Sequence, residues 1–165
     1  MRRFLLLLAW LAIFLCVPVQ TAALAAEPAK PLTVRAVFEG ELPLAGMRFN
    51  VYRVADRSGG GTWSLEPRFK AYRSRLETQN GDGNAWAALA RVLEKVALMD
   101  EACLPVASAE TDEDGTAVLD ALRPGLYLLS GQSVCVNRQI YTPSPMLIVC
   151  PAECAAEPEL TRSPE

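Results

Sequence analysis

Two-residue alternation opens the patterned part of the chain. Leu32, Val34, Ala36 and Phe38 fall on one face of an extended segment, and Thr33, Arg35 and Val37 fall on the other. After turn chemistry at Leu44-Ala45-Gly46 the alternation resumes with Met47, Phe49 and Val51, so two consecutive strands are expected. The run Arg57-Ser58-Gly59-Gly60-Gly61 holds too much glycine for a regular element, and Trp63 to Tyr72 is expected to add another short strand. The period then changes. Asn80-Gly81-Asp82-Gly83-Asn84 is turn chemistry, and Asn84 or Asp82 is placed to cap a helix starting near Ala85. No glycine or proline interrupts Trp86 to Met99, where Trp86, Leu89, Ala90, Leu93, Val96 and Ala97 recur at three-and-four spacing. Arg91, Glu94 and Lys95 fall on the opposite side, so the apolar stripe predicts one amphipathic helix docked on a sheet.

The most specific stretch follows, TDEDGTAVLDALRPGLYLL from Thr111 to Leu129. Asp114-Gly115 supplies a turn in which glycine takes positive φ, and Ala117, Leu119 and Ala121 alternate with Val118 and Asp120 along a strand. Pro124-Gly125 reads as a type II turn, and Leu126 to Leu129 as the returning strand. A hairpin of this kind buries its apolar face only against a second sheet or a helix. Val134-Cys135-Val136, Tyr141 to Pro145 and Met146 to Val149 complete the pattern, with Pro143 and Pro145 confined to a turn or an edge and Met146 to Val149 a buried strand. About seven short strands plus one inserted helix indicate a mainly β protein built as a β-sandwich.

The ends bear on compartment. Arg2-Arg3, the fourteen apolar residues Phe4 to Val17 and the small-x-small site Ala23-Leu24-Ala25 form a signal-peptide pattern, with the mature chain starting near Ala26. The apolar run is short of the roughly twenty residues a membrane span needs, and Phe14 and Leu15 fit poorly before a lipid-modified Cys16. The expected organisation is a signal peptide over 1–25, a linker over 26–31, a sandwich domain over 32–151 and a disordered polar tail over 152–165. Loss of the leader leaves Cys103, Cys135, Cys150 and Cys154, an even number in an exported chain, so disulfides are expected among them. Three pairings exist. Cys135 and Cys150 would face each other if a turn centred on Thr142-Pro143, and such a bridge would add about 3 kcal/mol. The spacing, with no histidine in the chain, does not look like a zinc site.

The chain carries 16 basic and 19 acidic side chains. Removing Arg2 and Arg3 leaves 14 against 19, a charge of −5 that argues against a nucleic-acid partner. The absence of histidine excludes Ser-His and Cys-His nucleophilic arrangements, and no catalytic, cofactor or metal residue is assigned. The acids Asp112, Glu113 and Asp114 lack the ligand spacing of a calcium loop and are read as turn formers, as is the Asn80 to Asn84 run. Trp63, Tyr72 and Tyr141 are the candidates for stacking on a sugar, which keeps a secreted carbohydrate-binding module as an alternative; a cryptic carboxylate enzyme ranks below it.

Three motifs together resemble a known family: the G-x-x-F-x-V-Y-x-V strand from Gly46 to Val54, the T-x-x-D-G-x-A turn from Thr111 to Ala117, and the G-L-Y-L strand from Gly125 to Leu128. They are similar to the N-terminal domain of Gram-positive bacterial pilins, a relative of the collagen-adhesin B-type domain, over about Leu32 to Pro151. The resemblance implies an Ig-like (prealbumin or Cna B-type) sandwich in an extracellular, secreted or cell-surface protein with a structural or adhesive role. It implies partners among other pilin subunits or a host or extracellular ligand, and no membrane contact after leader cleavage. It also implies a site for a Lys-to-Asn isopeptide bond, but Arg35 and Ala36 stand where the first-strand lysine would be, and Ser130 and Gly131 where the acid would follow. No isopeptide bond is expected, and the lysines Lys30, Lys70 and Lys95 leave no counterpart of a polymerisation lysine.

Overall fold

A computed structural model describes residues 29–57, 62–78, 83–150 and 155–165. The expected signal peptide with Cys16, residues 26–28 of the linker, the glycine run 58–61, residues 79–82 of the turn run and 151–154 with Cys154 lie outside the described residues.

Alternation does build the first strands. β1 (Lys30–Arg35) continues almost directly into β2 (Val37–Phe38), which turns back as β3 (Leu42–Pro43). This small hairpin was not expected from the pattern; Glu39 and Gly40 both take positive φ, 52° and 75°, in the three-residue reversal that brings Phe38 opposite Leu42. β4 (Arg48–Arg57) is the long central strand, followed by β5 (Trp63–Leu65). The expected strand over Trp63 to Tyr72 ends at Leu65. Pro67, which presets a helical φ and lacks an N–H for a ladder, opens a 3₁₀ turn (Pro67–Tyr72) that runs into a short helix α1 (Arg73–Thr78). The amphipathic helix α2 (Gly83–Met99) begins two residues before Ala85 and places Asn84 in its first turn.

The remaining strands are β6 (Ala107–Glu110), β7 (Thr116–Leu122), β8 (Gly125–Gly131), β9 (Val134–Val136), β10 (Gln139–Pro143), β11 (Met146–Cys150), β12 (Ala155–Ala156) and β13 (Leu160–Pro164). They form a large sheet in the order β11-β8-β4-β5, with β6 also on β4, and two three-stranded sheets, β12-β1-β7 and β13-β10-β9. The arrangement is the mainly β, Ig-like sandwich with an inserted helix that the strand pattern and the resemblance implied.

Two cores result, one on each face of the large sheet. Phe49, Val51, Tyr127, Leu129 and Ile148 pack inward with Leu32, Val34, Ala36, Ala117 and Leu119 of the opposing sheet. On the other face Tyr52, Val54, Leu126 and Leu128 pack against Leu89, Ala90, Leu93 and Ala97 of α2 and against Phe69. β8 is therefore buried along both faces, which explains its unbroken apolar run. β4 changes parity through an irregularity between Arg53 and Ala55, where its register against β8 shifts. β11 is half-buried rather than fully buried, because it lies at an edge of the large sheet.

Two turn expectations separate here. Gly115 takes φ +73°, as read from the sequence. Gly125 does not take positive φ, so Pro124-Gly125 is not a type II turn. Its glycine is needed because a Cβ would stand 2.8 Å from the Ala55 carbonyl oxygen. The tail also departs from expectation: Ala155–Ala156 pairs parallel with Thr33 and Val34, and Leu160–Pro164 pairs antiparallel with the whole of β10. Edge strands with open backbone groups on β1 and β10 recruit this polar segment despite its composition.

Candidate functional site

The turn at Asp112 is the most fully bonded of the expected sites. Its Oδ1 accepts the backbone N–H groups of Asp114 (3.0 Å) and Thr116 (2.8 Å), and its own carbonyl accepts the Gly115 N–H at 3.0 Å. The carboxylate is spent on shaping the backbone. Thr111 beside it is buried and holds two segments together: its hydroxyl donates to the Leu44 carbonyl (2.5 Å) and accepts from the Met47 N–H (2.9 Å). Among the described residues no group of three cysteine, aspartate or glutamate side chains is placed to hold a metal ion.

The three candidate stacking rings do not form one surface. Tyr141 is 4 % exposed within the sandwich core and meets Phe38 edge-on, centroids 5.1 Å apart. Trp63 and Tyr72 are half-buried against the other core, beside the helix. A planar platform from all three is therefore absent among the described residues.

The cysteines are also dispersed. Cys135 is exposed on β9 opposite Ile140, whereas Cys150 is buried at the end of β11 opposite Gly125. The facing of Cys135 and Cys150 is not realised, because the chain reverses at Asn137 and Arg138 (φ 52° and 60°) instead of at Thr142-Pro143. β10 then stays with β9 while β11 crosses to the large sheet. No disulfide joins Cys103, Cys135 and Cys150 to one another. Cys103 lies at the foot of α2 beside Arg68; burial pushes its thiol up, and Arg68 opposes that shift.

Sequence reasoning missed a polar group between the large sheet and α2. Ser130, 6 % exposed, donates to Glu94 Oε1 at 2.5 Å, and its cross-strand neighbour Asn50 accepts from the Ser108 hydroxyl at 2.7 Å. Helical spacing puts Glu94 on the polar side of α2, and the one sequence signal for its inward contact is Ser130, a polar residue near the end of an otherwise apolar buried strand. Burial raises the Tyr52 phenol, with Cys103 and Glu94 adding to the shift. Arg68 closes the same end with an ion pair to Asp100 at 2.7 Å, and Arg53 pairs with Asp56. The Ser130–Glu94 bond braces the helix on the sheet and the Arg68–Asp100 pair ties its end to the 3₁₀ turn, while Arg53 keeps a buried Nε without a hydrogen-bond partner among the described residues.

The lysines lie outside both cores. Lys30, Lys70 and Lys95 are exposed, and the inward positions of β1 are Leu32 and Val34.

No protein-family model matches the chain, and no curated protein matches it. Solved structures do. The full-length major pilin SpaD from Corynebacterium diphtheriae is 18% identical with a TM-score of 0.47, over 81% of this chain and 30% of that one. The SpaB basal pilin from Lactobacillus rhamnosus GG is 15% identical with a TM-score of 0.47, over 81% of this chain and 98% of that one. The major pilin SpaA from Corynebacterium diphtheriae is 21% identical with a TM-score of 0.42, over 80% and 30%. The chain thus spans under a third of the length of the two Corynebacterium pilins and nearly all of the basal one, and it is similar to pilin structures along most of its length.

Proposed function

We propose that this chain is an exported, non-catalytic pilin-like domain that acts as a structural or adhesive element at the bacterial surface. The observation that carries the reading is the meeting of the three resemblance motifs in one unit. The Gly46 to Val54 strand and the Gly125 to Leu128 strand are neighbours in the large sheet, paired from Phe49↔Gly131 to Asp56↔Gly125. The Thr111 to Ala117 turn locks onto the same strand through Thr111 and Met47. The signal-peptide pattern supports export, and the absence of histidine removes Ser-His and Cys-His nucleophilic catalysis. Partners are other surface subunits or an extracellular ligand.

Fractionation of the producing cells tests this. Recovery of the chain in the envelope fraction, as high-mass species resistant to boiling in detergent or as an envelope-retained monomer, supports a structural or an adhesive role respectively. Recovery in the cytoplasm alone overturns the proposal.

A further inference from the structure

Two of the strand edges left open by the fold face each other across a cavity. β12 covers the edge of β1 only at Thr33 and Val34. Beyond it, the Ala36 N–H donates to the Gly115 carbonyl (2.7 Å), and the Ala36 and Phe38 carbonyls accept from Leu44 (3.0 Å) and Glu41 (3.2 Å), so these residues direct their backbone groups toward β7 and β3. Alternation along an extended chain turns those of Val37 the other way. On the far side, the Glu159 carbonyl accepts from the Ser144 N–H (2.7 Å) and the Glu165 N–H donates to the Arg138 carbonyl (3.3 Å), so odd-numbered residues of the tail face β10. The backbone groups of Leu160 and Arg162 therefore face away from it.

Val37, Leu160 and Arg162 line one cavity of about 810 Å³, with Phe38 and Pro158 among its apolar walls. Its rim carries Glu39, Glu157 and Glu159 against Arg35 and Arg162. An adjoining hollow of about 530 Å³, sharing Arg35, Val37 and Gly40, adds Glu41 and Asp114. Arg162 is spread over the Phe38 ring, 5.2 Å from its centroid. Among the described residues none of these seven charged side chains is held in an ion pair. The slot is thus an acidic cleft with unpaired backbone donors and acceptors on both walls.

We propose that this slot receives an extended, basic segment of a partner protein as an added β-strand, bridging β2 and β13. Main-chain bonds to Val37, Leu160 and Arg162 would hold the segment, apolar side chains on one of its faces would meet Val37, and the lysines or arginines that alternate with them would meet the rim acids. The inference rests on strand edges and charge and is independent of the pilin-like role.

The test uses the full mature chain and three capped heptapeptides read by fluorescence anisotropy. One alternates lysine with valine, one replaces each lysine by glutamate, and one is the lysine peptide with its valine nitrogens methylated. The lysine peptide is expected to bind about tenfold or more tighter than either of the others, and the double variant Glu157→Lys, Glu159→Lys is expected to weaken it by about tenfold. Equal binding of the methylated peptide would reduce the effect to surface charge and overturn strand addition. Absence of binding overturns the proposal as well. If the variant does not fold, the three peptides on the wild-type chain still decide. Concentration-dependent self-association in sedimentation, abolished by the double variant, would make the occupant a second copy and overturn the basic-partner assignment.

Discussion

Single residues govern how the turns close. At Gly115 the chain takes φ +73°, and a Cβ there would stand 2.5 Å from the Ala36 carbonyl oxygen and 3.2 Å from the Leu44 nitrogen. Gly115→Ala is therefore expected to destabilise the fold by about 2 to 4 kcal/mol, since strain and a backbone clash add; urea unfolding measures it, and a loss below about 0.5 kcal/mol would contradict the turn geometry. Thr111→Val keeps the shape but leaves the Met47 N–H and Leu44 carbonyl without the hydroxyl they share, a loss of about 2 kcal/mol in the same assay. The Tyr127 phenol donates to the Arg123 carbonyl at 2.7 Å, and burial raises its pKa above the ordinary tyrosine value of 10.0. The unfolded chain ionises this phenol first, so its contribution is intact below pH 10 and is lost as pH rises toward the folded pKa. Stability against pH should thus fall less steeply above pH 10 in Tyr127→Phe than in the wild type.

Elements were legible where periodicity acts on its own. The stripe Leu89, Ala90, Leu93 and Ala97 docks on the large sheet as its spacing indicates, and Leu93→Ala should cost about 3 kcal/mol through the cavity left beneath the helix. The inward faces of β1 and of the first half of β4 were equally legible from alternation, whereas β8 is apolar on both faces and β4 changes parity beyond Arg53. The β2–β3 hairpin and the tail were not legible. Glu39 is a poor advertisement for positive φ, and Leu160 to Pro164 has no apolar alternation to announce a strand; its pairing is decided by the open edge of β10, which lies elsewhere in sequence. The polar cluster around Glu94 and Ser130 was hidden for the same reason, since contact between a helix and a distant strand leaves no local pattern. Hydrogen exchange resolves the tail: Thr161 and Ser163 amides, which face β10, should be protected, while Leu160 and Arg162 exchange fast. Uniformly fast exchange from Leu160 onward would restore the disordered tail.

For the whole molecule, what braces the sandwich is packing on both faces of one sheet. The inward positions of β1 are apolar and the three lysines are exposed, so the intact mass should show no loss of ammonia from an internal amide cross-link. Cys135, exposed on β9, should take up an alkylating reagent in the folded chain without prior reduction. Protection of Cys135 until reductant is added would instead place it in a disulfide. Within this frame the two cores supply the rigidity, and the acidic slot between β2 and β13 supplies a surface on which other chains act. The central claim is that the domain works outside the cell, on its envelope. Immunogold labelling of intact producing cells, with antibody raised against the full chain, tests it most directly. The account predicts label on the cell surface or along projecting fibres; label found only after the cells are opened, and confined to the cytoplasm, would contradict it.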